Sequence, residues 1–193
     1  MKTKILAFAG STRSGSYNKQ LSHVAADAAR EAGAEVTWID LRDLKLPLYD
    51  GDDEEANGLP EGAKTLKRLM IESHGFFISS PEYNSSITGV LKNAIDWASR
   101  AETDDEPPLV AYDGKIAGLV SASPGALGGL RGLVTLRSIL GNIGVFVLPD
   151  QVTLPKAGDA FDESGKLKDS RKLQQVKDLA EQLVRVAGKL RES

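Results

Sequence analysis

Lys4-Ile5-Leu6-Ala7-Phe8-Ala9-Gly10-Ser11-Thr12-Arg13-Ser14-Gly15-Ser16-Tyr17-Asn18 joins a short apolar run to a loop of glycines, hydroxyls and one arginine. The run Lys4–Ala9 has the length of a strand, and its lack of polar alternation means burial on both faces. Residues 18–32 follow with Leu21, Val24, Ala25, Ala28 and Ala32 at helical spacing, and Gly33 as a stop. The chain therefore opens with strand, loop and helix, and the same alternation continues. Strands are predicted at 35–39, 75–79, 116–121 and 145–148, and helices at 61–73, 88–99, 130–142 and 170–190. Residues 40–59, acidic and interrupted by Pro47, Gly51 and Gly58, are predicted to be a surface loop. Five short apolar strands alternating with helices imply an α/β protein whose parallel sheet is covered on both faces. Right-handed crossovers leave few topologies, and the order 2-1-3-4-5 is the one expected here. With no repeat, low-complexity tract or change of composition, residues 1–193 are expected to form one domain.

Composition narrows the function. The chain has 193 residues, 41% of them hydrophobic, and 24 basic against 27 acidic residues give a formal charge of −3. That balance argues against a nucleic-acid partner, which calls for a basic excess or stripe. Without cysteine there is no disulfide, thiolate metal site or cysteine nucleophile. Two histidines, His23 and His74, do not make a histidine-rich metal site, and the acidic run Asp50-Gly51-Asp52-Asp53-Glu54-Glu55 lacks the alternation of a calcium loop. No metal is expected. The N-terminal apolar run is too short for a secretory signal and no stretch approaches a membrane span, so no membrane partner is expected and cytoplasmic residence is the default.

In open α/β sheets, ligands sit beyond the carboxyl ends of the strands, where the strand order reverses. The loop at residues 10–18 lies there. Glycines let backbone N–H groups turn inward, and a helix N-terminus favours an anion. Ser11, Ser16 and Asn18 are candidate donors to phosphate oxygens, and Arg13 supplies charge that a plain helix cap does not need. Lacking Gly-Lys-Ser/Thr and the spaced glycines of a dinucleotide fold, the loop fits a terminal monophosphate. The third strand leads into Ser80-Pro81-Glu82-Tyr83-Asn84, where Pro81 fixes a turn that places Tyr83 and Asn84 beside the phosphate loop. The fourth leads into Ser121-Ala122-Ser123-Pro124-Gly125-Ala126-Leu127-Gly128-Gly129, whose glycines permit close approach to a flat ligand and whose N–H groups are candidate donors to a ring carbonyl. Small Ser85, Ser86 and Thr88 are expected to leave room above that ring.

Residues 10–18, Ser80-Pro81-Glu82-Tyr83-Asn84 with the helix Gly89-Val90-Leu91-Lys92-Asn93-Ala94-Ile95-Asp96-Trp97, and residues 121–129 together resemble the NADPH-dependent FMN reductase family. Leu46-Pro47-Leu48-Tyr49-Asp50 is similar to a stretch of it as well, and the likeness spans roughly residues 4–150. The resemblance implies a flavodoxin-like three-layer sandwich and an FMN-dependent oxidoreductase that takes electrons from NADPH (or NADH). The acceptor is a small molecule: a quinone, an azo compound, chromate or free flavin. It further implies that Ser11, Arg13, Ser16 and Asn18 hold the FMN phosphate. Pro81, Glu82, Tyr83 and Asn84 would border the isoalloxazine ring, with Ser123, Gly125 and Gly128 along its other edge. No catalytic acid, base or nucleophile is required. The competing readings are a flavodoxin-type FMN electron carrier, for which −3 is a mild charge, and a binding protein that has lost flavin turnover. Residues 102–108 (Glu-Thr-Asp-Asp-Glu-Pro-Pro) lengthen one connection and are expected to narrow the ring's open face. On the fourth helix, Leu130, Leu133, Val134, Leu136, Ile139, Leu140 and Ile143 cover more than one sheet contact needs, which points to a partner subunit and a homodimer at least, and the resemblance implies a homodimer or homotetramer.

Overall fold

The computed structural model describes residues 2–191. Its elements are β1 (Lys4–Ala9), α1 (Tyr17–Glu31), β2 (Glu35–Asp40), α2 (Gly51–Asn57), α3 (Glu61–Glu72), β3 (Gly75–Ser79), α4 (Gly89–Ala98), β4 (Ile116–Ala122), α5 (Leu130–Asn142), β5 (Phe146–Leu154) and α6 (Ser170–Arg191), with a short 3-10 turn at Ala157–Asp159. The strands form one parallel sheet in the order β2-β1-β3-β4-β5. The order reverses between β1 and β3, which opens a crevice at their carboxyl ends.

Two apolar layers sandwich the sheet. Ile5 and Ala7 of β1, Phe77 of β3 and Val120 of β4 pack against α1 and α6 through Leu21, Ala25, Val176, Ala180 and Leu183. Leu6, Phe8, Phe76, Ile78 and Leu119 face the opposite way, toward Leu66 of α3, Leu91 and Ile95 of α4 and Leu133, Leu136 and Leu140 of α5. The central strands β1, β3 and β4 are buried along almost their whole length, as their unbroken apolar sequence requires.

The structure departs from the sequence expectations in three places. Residues 51–57 form α2 inside the expected loop. Asp50 caps it by accepting from the Asp52 N–H (2.9 Å), and Asp52, Asp53 and Glu54 stand in its first turn, where negative charge is favoured. None of its residues is buried, so no apolar period announced it. Strand β5 runs on to Leu154 through an irregularity: Ala117 faces Val147 while Leu119 faces Gln151. Arg137 of α5 grips this bulge, donating to the carbonyl of Leu148 (2.7 Å) and to Gln151 Oε1 (3.0 Å). Residues 102–108 sit at the far end of α4 from the crevice, where Glu106 pairs with the buried Lys67 of α3. They do not approach the strand carboxyl ends, so the expectation that they narrow the site is corrected.

Candidate functional site

Thr88, buried at the N-cap of α4, accepts from the Leu91 N–H (3.1 Å) and donates to the Gly10 carbonyl (2.6 Å). It therefore pins the start of one helix to the start of the phosphate loop, and is not the open space above a ring that its small side chain suggested. The Gly10 N–H reaches the Ser79 carbonyl (2.9 Å), and a methyl group at Gly10 would lie 2.9 Å from Leu91 Cβ. Only glycine lets β1, β3 and α4 meet this closely. Asn18 completes the frame. Its amide nitrogen donates to the Ala122 carbonyl (2.8 Å), and its amide oxygen accepts from the Ala122 N–H (2.9 Å) and the Ser79 hydroxyl (3.0 Å). One amide hydrogen is left for a ligand.

Within this frame lies a cavity of about 130 Å³ lined by Ser11, Arg13, Ser16, Tyr17 and Asn18 from the first loop, Pro81, Glu82 and Tyr83 from the second, and Ala122, Ser123 and Pro124 from the third. The first loop supplies donors. The backbone N–H groups of Ser11, Thr12, Ser14, Gly15 and Ser16, and of Tyr17 and Asn18 in the first turn of α1, meet no acceptor among the described residues. Ser16 stands at the N-cap of α1 but makes no side-chain cap bond, leaving its hydroxyl available. Arg13 forms no ion pair among the described residues. Unpaired N–H groups, two hydroxyls and a guanidinium around a helix N-terminus match a phosphate dianion, so the residues present fit the phosphate end of FMN.

The second loop is a tight hairpin. Tyr83 and Ser86 exchange backbone hydrogen bonds of 2.9 and 3.0 Å, with Asn84 (φ 51°) and Ser85 (φ 67°) both left-handed between them, as in a type I′ turn. The turn holds Tyr83 outward at 60% exposure. Asn84 is exposed at the tip and does not line the cavity. The Glu82 carboxylate accepts from the Arg131 side chain (2.8 Å) and from the backbone N–H of Arg131 (3.1 Å) and Gly132 (3.4 Å). It caps α5 from a distance and straps the hairpin to that helix, a role its motif did not disclose.

Around β4 the expected glycines divide. Gly125 is exposed, a methyl group there would touch only Ser123 Oγ at 3.6 Å, and its N–H is engaged by that same hydroxyl (3.2 Å). Gly128 is buried and left-handed (φ 61°), and a methyl group would come within 2.7 Å of the Leu154 and Pro155 backbone. Its N–H goes to the Gly125 carbonyl (3.4 Å) and it stands outside the cavity lining. Gly128 therefore serves the packing of two chain segments. Among the described residues, the backbone N–H groups of Ala126, Leu127 and Gly129 in this turn meet no acceptor, and those of the exposed Ala126 and Leu127 are open to a ligand. The segment Lys156–Ala157 closes this end, donating its N–H groups to the Gly125 (3.3 Å) and Ser123 (3.1 Å) carbonyls.

A groove of about 530 Å³ between β5 and α6 is larger. It is bordered by Asp150, Asp178, Glu181 and Arg185 and does not touch the crevice loops. Among the described residues, no group of acidic or histidine side chains is arranged to hold a metal ion.

The family model described as NADPH-dependent FMN reductase matches residues 3–159. An NAD(P)H-dependent FMN reductase of Pseudomonas aeruginosa is 36% identical over 170 residues, covering 87% of this chain and 86% of that protein. An NAD(P)H:quinone oxidoreductase of Solanum tuberosum is 35% identical over 197 residues, covering 97% and 94%. Among solved structures, a flavoenzyme NAD(P)H:(acceptor) oxidoreductase of Paracoccus denitrificans superposes with a TM-score of 0.78 at 26% identity, covering 98% of each chain.

Proposed function

Because the chain belongs to the NADPH-dependent FMN reductase family, we propose that the crevice cavity is its flavin site and that quinones are its acceptors. The chain is an FMN-dependent NAD(P)H oxidoreductase, acting as one domain. One observation carries the assignment of the site: three loops from β1, β3 and β4 converge on one cavity whose first wall holds unpaired donors and an unpaired arginine. At about 130 Å³ the cavity is well below the size that encloses a whole drug-sized ligand. It would take the phosphate and the chain beside it, with Tyr83 and the turn at Gly125 as the residues that would meet the ring.

Bound FMN supplies the two-electron chemistry that links NAD(P)H to an acceptor; the protein supplies binding and electrostatics. Ser11, Arg13, Ser16 and the first-turn N–H groups of α1 hold the phosphate, with Asn18 setting the loop's shape. Pro81 and Tyr83 wall the ring on one side. Ser123, Gly125 and the free N–H groups of Ala126 and Leu127 face its polar edge, where donors favour negative charge. Glu82 keeps its charge away from that ring because Arg131 and the N-terminus of α5 neutralise it. Quinones rank ahead of the other acceptors because the Solanum tuberosum relative is named for one. Residence in the cytoplasm belongs to the same proposal; no described helix is long and apolar enough to cross a membrane.

The test is anaerobic. The purified protein is loaded with FMN and mixed with NADPH, and then with a benzoquinone. Rapid bleaching of the flavin bands, followed by their return with quinone, is the expected result. Retained FMN without bleaching would assign an electron carrier, and absence of FMN uptake would reject the site.

A further inference from the structure

Arg42, just beyond the end of β2, reaches across to the phosphate loop. Its Nε donates to the Thr12 carbonyl at 2.6 Å, between Ser11 and Arg13. The nearest acid does not neutralise it. Asp40 gives one carboxylate oxygen to the Lys19 ammonium (2.5 Å) and the other to the backbone N–H of Arg42 (3.0 Å). Asp43 makes no ion pair with either arginine, and among the described residues neither Arg13 nor Arg42 has an acidic partner. One guanidinium, that of Arg42, is thus fastened to the phosphate loop next to the residue that carries another, Arg13, in a chain of net charge −3. A guanidinium without an acidic partner beside an anion-binding loop is suited to a second anion.

One anion does not account for both. Arg13 lines the flavin cavity and Arg42 does not. In the sheet order the ring would lie over β3 and β4 and the FMN phosphate over β1, which leaves Arg42 on the far side, toward β2. With its Nε fastened, the two terminal amino groups of Arg42 remain as a planar fork of the geometry that grips a phosphate monoester.

Building on the flavin-site reading above, we infer that Arg42 selects NADPH over NADH by binding the 2′-phosphate of the dinucleotide laid along the crevice. NADH lacks that group, so the fork gains nothing from it.

The test uses the FMN-loaded protein and two fragments, 2′,5′-adenosine bisphosphate and 5′-AMP, titrated by calorimetry alongside FMN binding to the apoprotein. Wild type is expected to bind the bisphosphate more tightly than AMP. Arg42→Gln should reduce that preference roughly tenfold or more, the scale of hydrogen bonds to a charged group, and Arg42→Lys should retain part of it. FMN affinity should fall by less than the bisphosphate preference in both variants, because Arg42 also fastens the Thr12 carbonyl of the phosphate loop. Equal binding of the two fragments by wild type overturns the inference. So does an unchanged preference in Arg42→Gln, or a preference abolished instead by Lys156→Met at the other end of the site. Loss of FMN affinity in Arg42→Gln with the bisphosphate preference intact overturns the inference and leaves Arg42 as a support of the phosphate loop. A wild-type protein that takes up no FMN overturns the functional reading itself, and the inference with it.

Discussion

At the scale of the residue, the crevice separates side chains left free toward the cavity from side chains that hold its loops together. Arg13 is exposed at a helix N-terminus and makes no ion pair among the described residues. Arg13→Ala should weaken FMN binding by about 1.5–3 kcal/mol, the scale of hydrogen bonds to a charged group, while leaving the melting temperature of the apoprotein unchanged; fluorescence titration and a thermal melt check the two halves. Gly128 behaves in the opposite way. Gly128→Ala adds left-handed strain of about 1–2 kcal/mol and drives a methyl group against backbone that has no rotamer to escape into. Denaturant unfolding should show a loss of about 3 kcal/mol or more. Gly125→Ala meets only a serine hydroxyl at 3.6 Å and should change stability by less than about 0.5 kcal/mol. The residue types told much of this story, because serines, an arginine and glycines after an apolar strand define an anion loop. They did not tell which glycine stays exposed at the rim and which packs on Leu154, since that depends on a chain segment some thirty residues away. The same holds for Glu82 and Asn18, whose partners Arg131 and Ala122 are remote in sequence.

At the scale of the element, burial decided what was legible. Strands β1, β3 and β4, covered on both faces, are legible from their short unbroken apolar runs. Helix α2, with no buried residue, left no period to find, and β5 seemed to end early because Pro149 and Asp150 interrupt its apolar run. Connection 102–108 was visible as an insertion but not its position, which is set by a buried charge. Lys67 is 2% exposed, donates to the Arg100 carbonyl at the end of α4 (2.7 Å) and pairs with Glu106. Burial alone would raise the Glu106 carboxyl, but hydrogen bonds from Lys67 and from the Glu102 N–H outweigh it and hold the group below the usual carboxylate range. A carboxyl depressed on folding contributes stability that is complete above its unfolded pKa and disappears as pH falls through the folded one. Glu106→Gln should therefore cost about 3 kcal/mol at neutral pH, because it leaves a buried ammonium without a counterion, and should reduce the acid sensitivity of the fold. Lys67→Met, which removes the buried charge itself, should cost less. Denaturant midpoints at pH 7 and pH 4 distinguish the two variants.

At the scale of the whole molecule, the expected apolar excess of α5 is mostly consumed internally. Leu133, Leu136 and Leu140 are buried, and Ile139 and Ile143 pack beside the same core. What remains is a stripe of Leu127, Leu130 and Val134, the last 62% exposed, and Tyr83 is exposed on the hairpin strapped to the same helix. Contiguous apolar surface next to a shallow ring site points to a second subunit meeting it about a twofold axis. A homodimer is expected by multi-angle light scattering at micromolar concentration, and Val134→Glu is expected to give monomers. The bulge in β5 bears on how such subunits can add together. An open-ended ribbon of subunits joined strand to strand needs two free borders on every sheet. Here one border is turned aside at Pro149 and Asp150 and fastened by Arg137, so pairing through the remaining border, β2, would stop at two. That interruption disfavours continuous strand-to-strand addition along the β5 border.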